Sequence, residues 1–99
     1  MFVVGTAKID AFMKRRTPAR KAFPKWLQIV TLAEWTSFHD LKETFPSADI
    51  VTTDSATIVI FDVRGNAFRL IAEIDFDSRQ LFVRHVFTHE EYDRWNERQ

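Results

Sequence analysis

The period of the hydrophobic pattern changes about halfway along the chain. Phe2 to Val4 suit a short first strand. Ile9, Phe12 and Met13 then fall at i, i+3 and i+4, the apolar stripe of a helix. Thr6 stands where a cap would open that helix, which should run to about Arg16. Thr17-Pro18 is a second start signal, with proline at the first helical position. This second helix should reach about Glu34, with Phe23, Trp26, Leu27 and Val30 turned inward. Pro24 removes one backbone bond within it and marks a kink. Ser37 to Asp40 read as the capped start of one or two further turns, and Pro46 lies beyond their end.

From about Ala56 the spacing becomes alternating. ATIVIFDV is followed by Arg64-Gly65-Asn66-Ala67, a tight hairpin signal. AFRLIAEID comes next, then the turn Phe76-Asp77-Ser78-Arg79, then QLFVRHVF. Three strands on two short turns predict an antiparallel meander, and the element order predicts a single α+β domain over residues 1–99. With two-residue loops at Gly65-Asn66 and Asp77-Ser78, Asp62 faces Arg69, Ile71 faces Arg84 and Glu73 faces Phe82. Side chains alternate between faces. Val59, Phe61, Val63, Phe68, Leu70, Ala72, Ile74, Leu81, Val83 and Phe87 collect on one face, to be covered by helices. Ile58, Ile60, Asp62, Arg69, Ile71, Glu73, Phe82, Arg84 and Val86 collect on the other. His85 falls on the core face and reads as a partly buried, hydrogen-bonded histidine. Thr88-His89-Glu90-Glu91 fits a capping box, so a last helix should start at His89 and carry Tyr92 one turn on.

Composition adds limits. Ninety-nine residues that are 45% apolar, with ten Phe, suffice for one packed core. The chain has no cysteine, which excludes disulfides and leaves the redox compartment open. MFVVG is too short for a signal peptide or a membrane span, so a soluble cytoplasmic protein is the expectation. His85 and His89 straddle a strand–helix joint and are no helical metal pair, so no metal site and no cofactor are expected. The formal net charge is zero, against a strong non-specific nucleic-acid binder. The charges are nevertheless segregated. Residues 1–25 hold seven bases and one acid, while residues 30–62 hold six acids and one base. That gives the molecule a basic end.

IFDVRGNAFRLIAEIDF, FVRHVFTHEEYD and WTSFHDLKETFPSAD together resemble the HigB-type toxins of the RelE superfamily. The glycine–asparagine turn with its following arginine, the arginine of the last strand and the TH-x-EYD ending occur in the family's order. The resemblance implies a RelE-like fold, with a short N-terminal strand and helices on an antiparallel sheet of three to four strands, and a short C-terminal helix. It implies an mRNA endonuclease acting in the ribosomal A site, silenced by a helix-turn-helix antitoxin. Cleavage without metal would use the RNA's own 2′-hydroxyl, with cations on the phosphate and an acid and a base beside it. On this reading Arg69 and Arg84 serve the phosphate, and His89 is the acid or base, with Glu73 the alternative base. Tyr92 donates a proton or stacks on a base. Arg64 and Asn66 contact the RNA backbone, and Lys14, Arg15, Arg16, Arg20, Lys21 and Lys25 meet ribosomal RNA.

Structural roles compete with these. Arg69 can pair with Asp62, Arg84 with Glu73, and Asn66 can simply make the turn. Asp62, Ala67 and Glu73 also depart from the family pattern, towards less positive charge. An alternative is therefore a catalytically weak binding module acting through its antitoxin in operon repression. A free-standing ribonuclease is a third reading, disfavoured by the few side chains available to read a substrate.

Overall fold

The computed structural model describes residues 1–98. Its elements run β1 (Phe2–Val4), α1 (Thr6–Arg15), α2 (Ala19–Leu32), α3 (Phe38–Thr44), β2 (Asp49–Thr52), β3 (Thr57–Val63), β4 (Phe68–Asp75), β5 (Gln80–Thr88) and α4 (His89–Glu97). The strands form one sheet in the order β1-β5-β4-β3-β2. β3, β4 and β5 are the expected meander. The sheet exceeds the expectation at both edges. β2 adds an antiparallel strand beside β3, and β1 pairs parallel with β5, so the sheet is mixed and five-stranded.

Three ends of helices also differ from expectation, and one is the start of α2, where Pro18 is the N-cap and Ala19 the first helical residue. Gly5, not Thr6, is the N-cap of α1, and no side chain caps it. Gly5 has φ of 92°, and a Cβ there would lie 3.1 Å from the Val83 carbonyl oxygen of β5. The left-handed turn and the close approach to the sheet both require glycine. α2 ends at Leu32 instead of Glu34 and continues through Pro24. α3 starts as expected, with the Ser37 side chain accepting from the Asp40 amide.

The core lies between one sheet face and the pair α1 and α2. Phe61, Leu70, Val59, Ala72 and Leu81 are fully buried there, against Ile9, Phe12, Phe23 and Val30. Edge-on aromatic contacts lock the layers. Phe12 meets Phe68 at 5.3 Å between ring centroids, and Phe61 meets Trp26 at 5.3 Å and Phe45 at 5.2 Å.

The hairpin registers follow the expected turns as far as the middle of β5. Asp62 faces Arg69 and Glu73 faces Phe82. Then the ladder shifts. Ala72 pairs with Val83 but Ile71 pairs with His85, so Arg84 is an extra residue, a β-bulge. From there to the end of the strand every side chain changes face relative to unbroken alternation. Val86 packs against the core, whereas His85 and Phe87 stand on the opposite face. Ile71 therefore does not face Arg84, and His85 is not a core histidine. The Lys8 ammonium of α1 donates to the Arg84 carbonyl at 2.8 Å and occupies an acceptor at the bulge.

Phe61 anchors two aromatic contacts with no exposed surface. Phe61→Ala should lower unfolding free energy by about 3–5 kcal/mol, read as a fall in the urea midpoint at unchanged slope.

Candidate functional site

The second sheet face carries the charges. α4 lies across it, and the turn at β5–α4 fixes where its first residues point. Thr88 accepts from the Glu91 amide at 3.2 Å, and the Glu91 carboxylate accepts from the Thr88 amide at 2.8 Å. This is the expected capping box, and it starts α4 at His89. The His89 amide also donates to the Ala67 carbonyl at 3.0 Å, which ties the helix start to the β3–β4 turn.

That turn is tight. Arg64 and Gly65 have φ of 56° and 59°. The Ala67 amide donates to the Arg64 carbonyl at 3.1 Å and closes the turn, and Arg64 adopts the left-handed conformation despite its Cβ.

Arg69 sits where the turn, β3, β4 and α4 meet. It is only 8% exposed. A guanidinium has five N–H donors and no acceptor, and each of the five has a partner here. Nε donates to Asp62 at 3.0 Å. One terminal nitrogen donates to the carbonyls of Asn66 and Phe68 at 3.2 and 3.1 Å. The other reaches the Asn66 side-chain oxygen at 2.5 Å and Nδ1 of His89 at 3.3 Å. The guanidinium carbon also lies 5.7 Å from the Tyr92 ring centroid. Because arginine only donates, Nδ1 of His89 must be the acceptor. The ring proton of neutral His89 is then on Nε2, which stands 3.3 Å from the Asp93 carboxylate. Burial pushes the Tyr92 phenol above its ordinary 10.0. The charge of Arg69 opposes this, and those of Asp49, Asp62 and Asp93 add to it. Tyr92 thus holds its proton at neutral pH.

The structure brings Asn66, Arg69, His89 and Tyr92 together. Glu73 and Arg84 lie elsewhere on the same face. Their ion pair, at 2.6 Å, is four residues along β4 from Arg69, roughly 13 Å at strand spacing. Arg84 keeps about half its side chain in solvent, at 54%. Among the basic residues, Arg20, Lys21 and Lys25 of α2 share a groove with Arg64. Arg20 is already engaged there, donating to the Met13 and Lys14 carbonyls at the end of α1. Arg16 leans on Phe12 and approaches Glu91 at 3.8 Å. Lys14 lines a second groove with Asp10 and Pro24, and Arg15 is exposed at the helix end. Asp93, Lys8 and His85 were not among the expected site residues. Asp93 was legible, since it follows His89 by four on a helix.

A family model described as HigB toxin, the RelE-like toxic component of a toxin–antitoxin system, matches residues 19–95. The chain belongs to that family. Membership implies an antitoxin partner. Among curated relatives, an mRNA interferase HigB of Escherichia coli O6:H1 is 24% identical over 94 residues, covering 95% of this chain and 90% of its own. The mRNA interferase toxin HigB of Escherichia coli K12 is 42% identical over 53 residues, and that match spans half of its length. A Shigella flexneri mRNA interferase HigB matches to the same extent. For this HigB-family chain, no helix among the described residues is long and apolar enough to cross a membrane, and no cluster of metal-ligating side chains is found there.

His85 offers a test of the bulge. Burial lowers its pKa below the ordinary 6.5, and the charges of Lys8 and Arg84 lower it further. The unfolded chain therefore binds more protons than the folded one as pH falls through the window below 6.5, and stability falls with it. His85→Phe, which keeps the stack on Phe87, should show a smaller drop in melting temperature than wild type between pH 7.5 and 5.5. Equal drops would place the ring outside that desolvated stack.

Proposed function

We propose that this toxin cleaves mRNA on the ribosome, with Arg69, His89 and Tyr92 as the centre of the reaction. The observation that carries the reading is the guanidinium of Arg69, held almost out of solvent between a histidine and a tyrosine. The 2′-hydroxyl of the substrate attacks the adjacent phosphorus and the bond to the 5′-oxygen breaks. The products are a 2′,3′-cyclic phosphate and a 5′-hydroxyl. The 2′-proton passes to solvent water and the leaving oxygen takes one from His89 or Tyr92. With Nδ1 facing Arg69, His89 presents Nε2–H, and Tyr92 keeps its phenol proton, so both suit the donor side. The positive charge comes from arginine, and the proposed step draws on no metal.

Every donor of Arg69 has a partner before RNA arrives, so one must give way. Asn66 is exposed in the turn and offers a neutral acceptor. A phosphate oxygen is a charged one and binds guanidinium more strongly. Asn66 then acts as a placeholder on Arg69, while Asp62 keeps the guanidinium plane fixed through Nε. Arg84 serves a neighbouring phosphate, with Glu73 as its counter-charge. Glu73 is too far along β4 to be the base for a reaction at Arg69. The groove of Lys21, Lys25 and Arg64 meets ribosomal RNA through phosphate contacts. The sequence resemblance supports a helix-turn-helix protein as the antitoxin.

One observation favours a second reading. Both site arginines carry carboxylate partners, Asp62 and Glu73. A chain weakened in this way would act mainly through its antitoxin in operon repression.

Inducing the chain in cells and mapping new 5′ ends on translated messages tests both. Under the first reading cuts appear, and His89→Ala and Arg69→Ala each reduce them by roughly a hundredfold or more. Arg69→Lys does not restore them, because a point charge cannot span Asp62, Asn66 and His89. Naked mRNA stays intact where ribosome-bound mRNA is cut. Absence of cuts in the wild type, with cuts gained in Asp62→Asn or Glu73→Gln, selects the second reading.

A further inference from the structure

The bulge in β5 builds a cleft between the two charged pairs. Its floor is Ile58, Ile60 and Ile71, from β3 and β4. Its aromatic side is His85 and Trp95, whose ring centroids lie 5.3 Å apart. Behind His85, Phe87 stacks at 5.1 Å with only 11° between the ring planes. Thr53, Arg84 and Asn96 supply the polar groups of its lining. The volume is about 470 Å³, within the range for small-molecule sites, which are mostly apolar with a few placed polar groups.

We propose that this cleft receives an unpaired nucleobase of the RNA, next to the phosphate held at Arg69. The proposal rests on the cleavage reading and adds the specificity element that reading lacks. A flat apolar floor and an aromatic wall bind any base by stacking. The side-chain amide of Asn96 meets a base on its hydrogen-bonding edge, where an amide discriminates between bases, while Arg84 at the rim keeps its neighbouring phosphate. An aliphatic side chain of a protein partner would fill the floor but leave the Asn96 amide unused. The position also fits. Phe87 pairs in register with Arg69 across β4 and β5, and Trp95 lies 6.0 Å from Tyr92. A base in the cleft thus belongs to a nucleotide adjoining the reaction centre. Neutral His85, which the bulge brings to this face, stacks without adding charge.

The first arm of the test is binding. The ¹⁵N-labelled full chain is titrated with AMP, CMP, GMP and UMP, following the tryptophan indole N–H resonances. Trp26 and Trp35 are buried and stand as controls, at 3% and 4% exposure. A saturable shift of Trp95 and of the Asn96 amide is expected, with affinities that differ among the four bases. His85→Ala should weaken it by about five- to a hundredfold while Trp26 and Trp35 keep their positions. If no nucleotide moves Trp95 but N-acetylleucine amide does, the cleft holds a protein side chain and the proposal falls. It falls equally if nucleotides shift only the Lys21, Lys25 and Arg64 groove.

The second arm maps cuts made by Asn96→Ala. A changed base preference beside the cut supports the cleft. Wild-type cuts with unchanged flanking bases in Asn96→Ala overturn it and leave the cleavage reading standing. Saturable, base-dependent binding with no wild-type cuts does the reverse.

Discussion

Burying an arginine on a strand is costly unless every donor is answered, because each unpaired N–H forfeits its hydration. Arg69 meets that condition with four residues from three places. Asp62 comes from the neighbouring strand, Asn66 and Phe68 from the turn and strand start, and His89 from the last helix. The constraint works in both directions. The guanidinium stays buried only while the hairpin keeps its register and α4 keeps its start. Conversely, its planar fork holds the turn, the helix and the histidine tautomer in one arrangement. The capping box and the His89 amide on Ala67 serve the same junction with backbone atoms. Removing Arg69 would leave Asp62 half-buried without its cation, a situation worth roughly 3–5 kcal/mol in other proteins. Loss of activity on substituting Arg69 therefore mixes a chemical and a structural cause. What a lysine cannot copy is the planar fork that holds Asp62, Asn66 and His89 at once.

The bulge at Arg84 is the second constraint. A strand without it would send Phe87 into the core and leave Val86 outside. With it, Val86 fills the core and a stacked pair, His85 on Phe87, supports α4 through Trp95. Lys8 on the Arg84 carbonyl satisfies an acceptor at the irregular step. The apolar cleft and the seat of α4 thus depend on one extra residue. An irregularity of this kind re-aims side chains at small cost, since the strands on either side keep their pairing.

Much of this is legible in the sequence. The meander, its first hairpin register, the Asp62–Arg69 and Glu73–Arg84 pairs and the capping box follow from alternation, turn chemistry and spacing. The bulge was not legible, because Val86 and Phe87 are both apolar and either can face the core. Alternation carries no information where neighbours are interchangeable, and His85 was misplaced for that reason. β2 escaped for a different cause. Asp49 to Thr52 is four residues long and exposed throughout, so it has no buried face to show a period. Its pairing comes from β3's open edge. Thr6 has a residue type that suits a cap, while the real determinant at Gly5 is a backbone approach to β5 that no local pattern encodes. Of the candidate site, Arg69, Arg84, Glu73, His89 and Tyr92 are named together from the sequence, and the fold brings Arg69, His89 and Tyr92 together. Glu73 and Arg84 stand apart from that group because four residues of strand rise separate Glu73 from Arg69.

The two carboxylates that dilute the positive face have distinct structural positions. Asp62 holds Nε of a buried arginine, away from the terminal nitrogens that face Asn66 and His89. It fixes the fork without covering the donors a phosphate would use. Glu73 instead caps the terminal nitrogen of an arginine that is half in solvent. Surface pairs of that kind contribute little and exchange readily with another anion. A neutral total charge is therefore compatible with a working phosphate site. What matters is which guanidinium edge each carboxylate occupies, and the edge nearest His89 is held by Asn66, a neutral residue in an exposed turn.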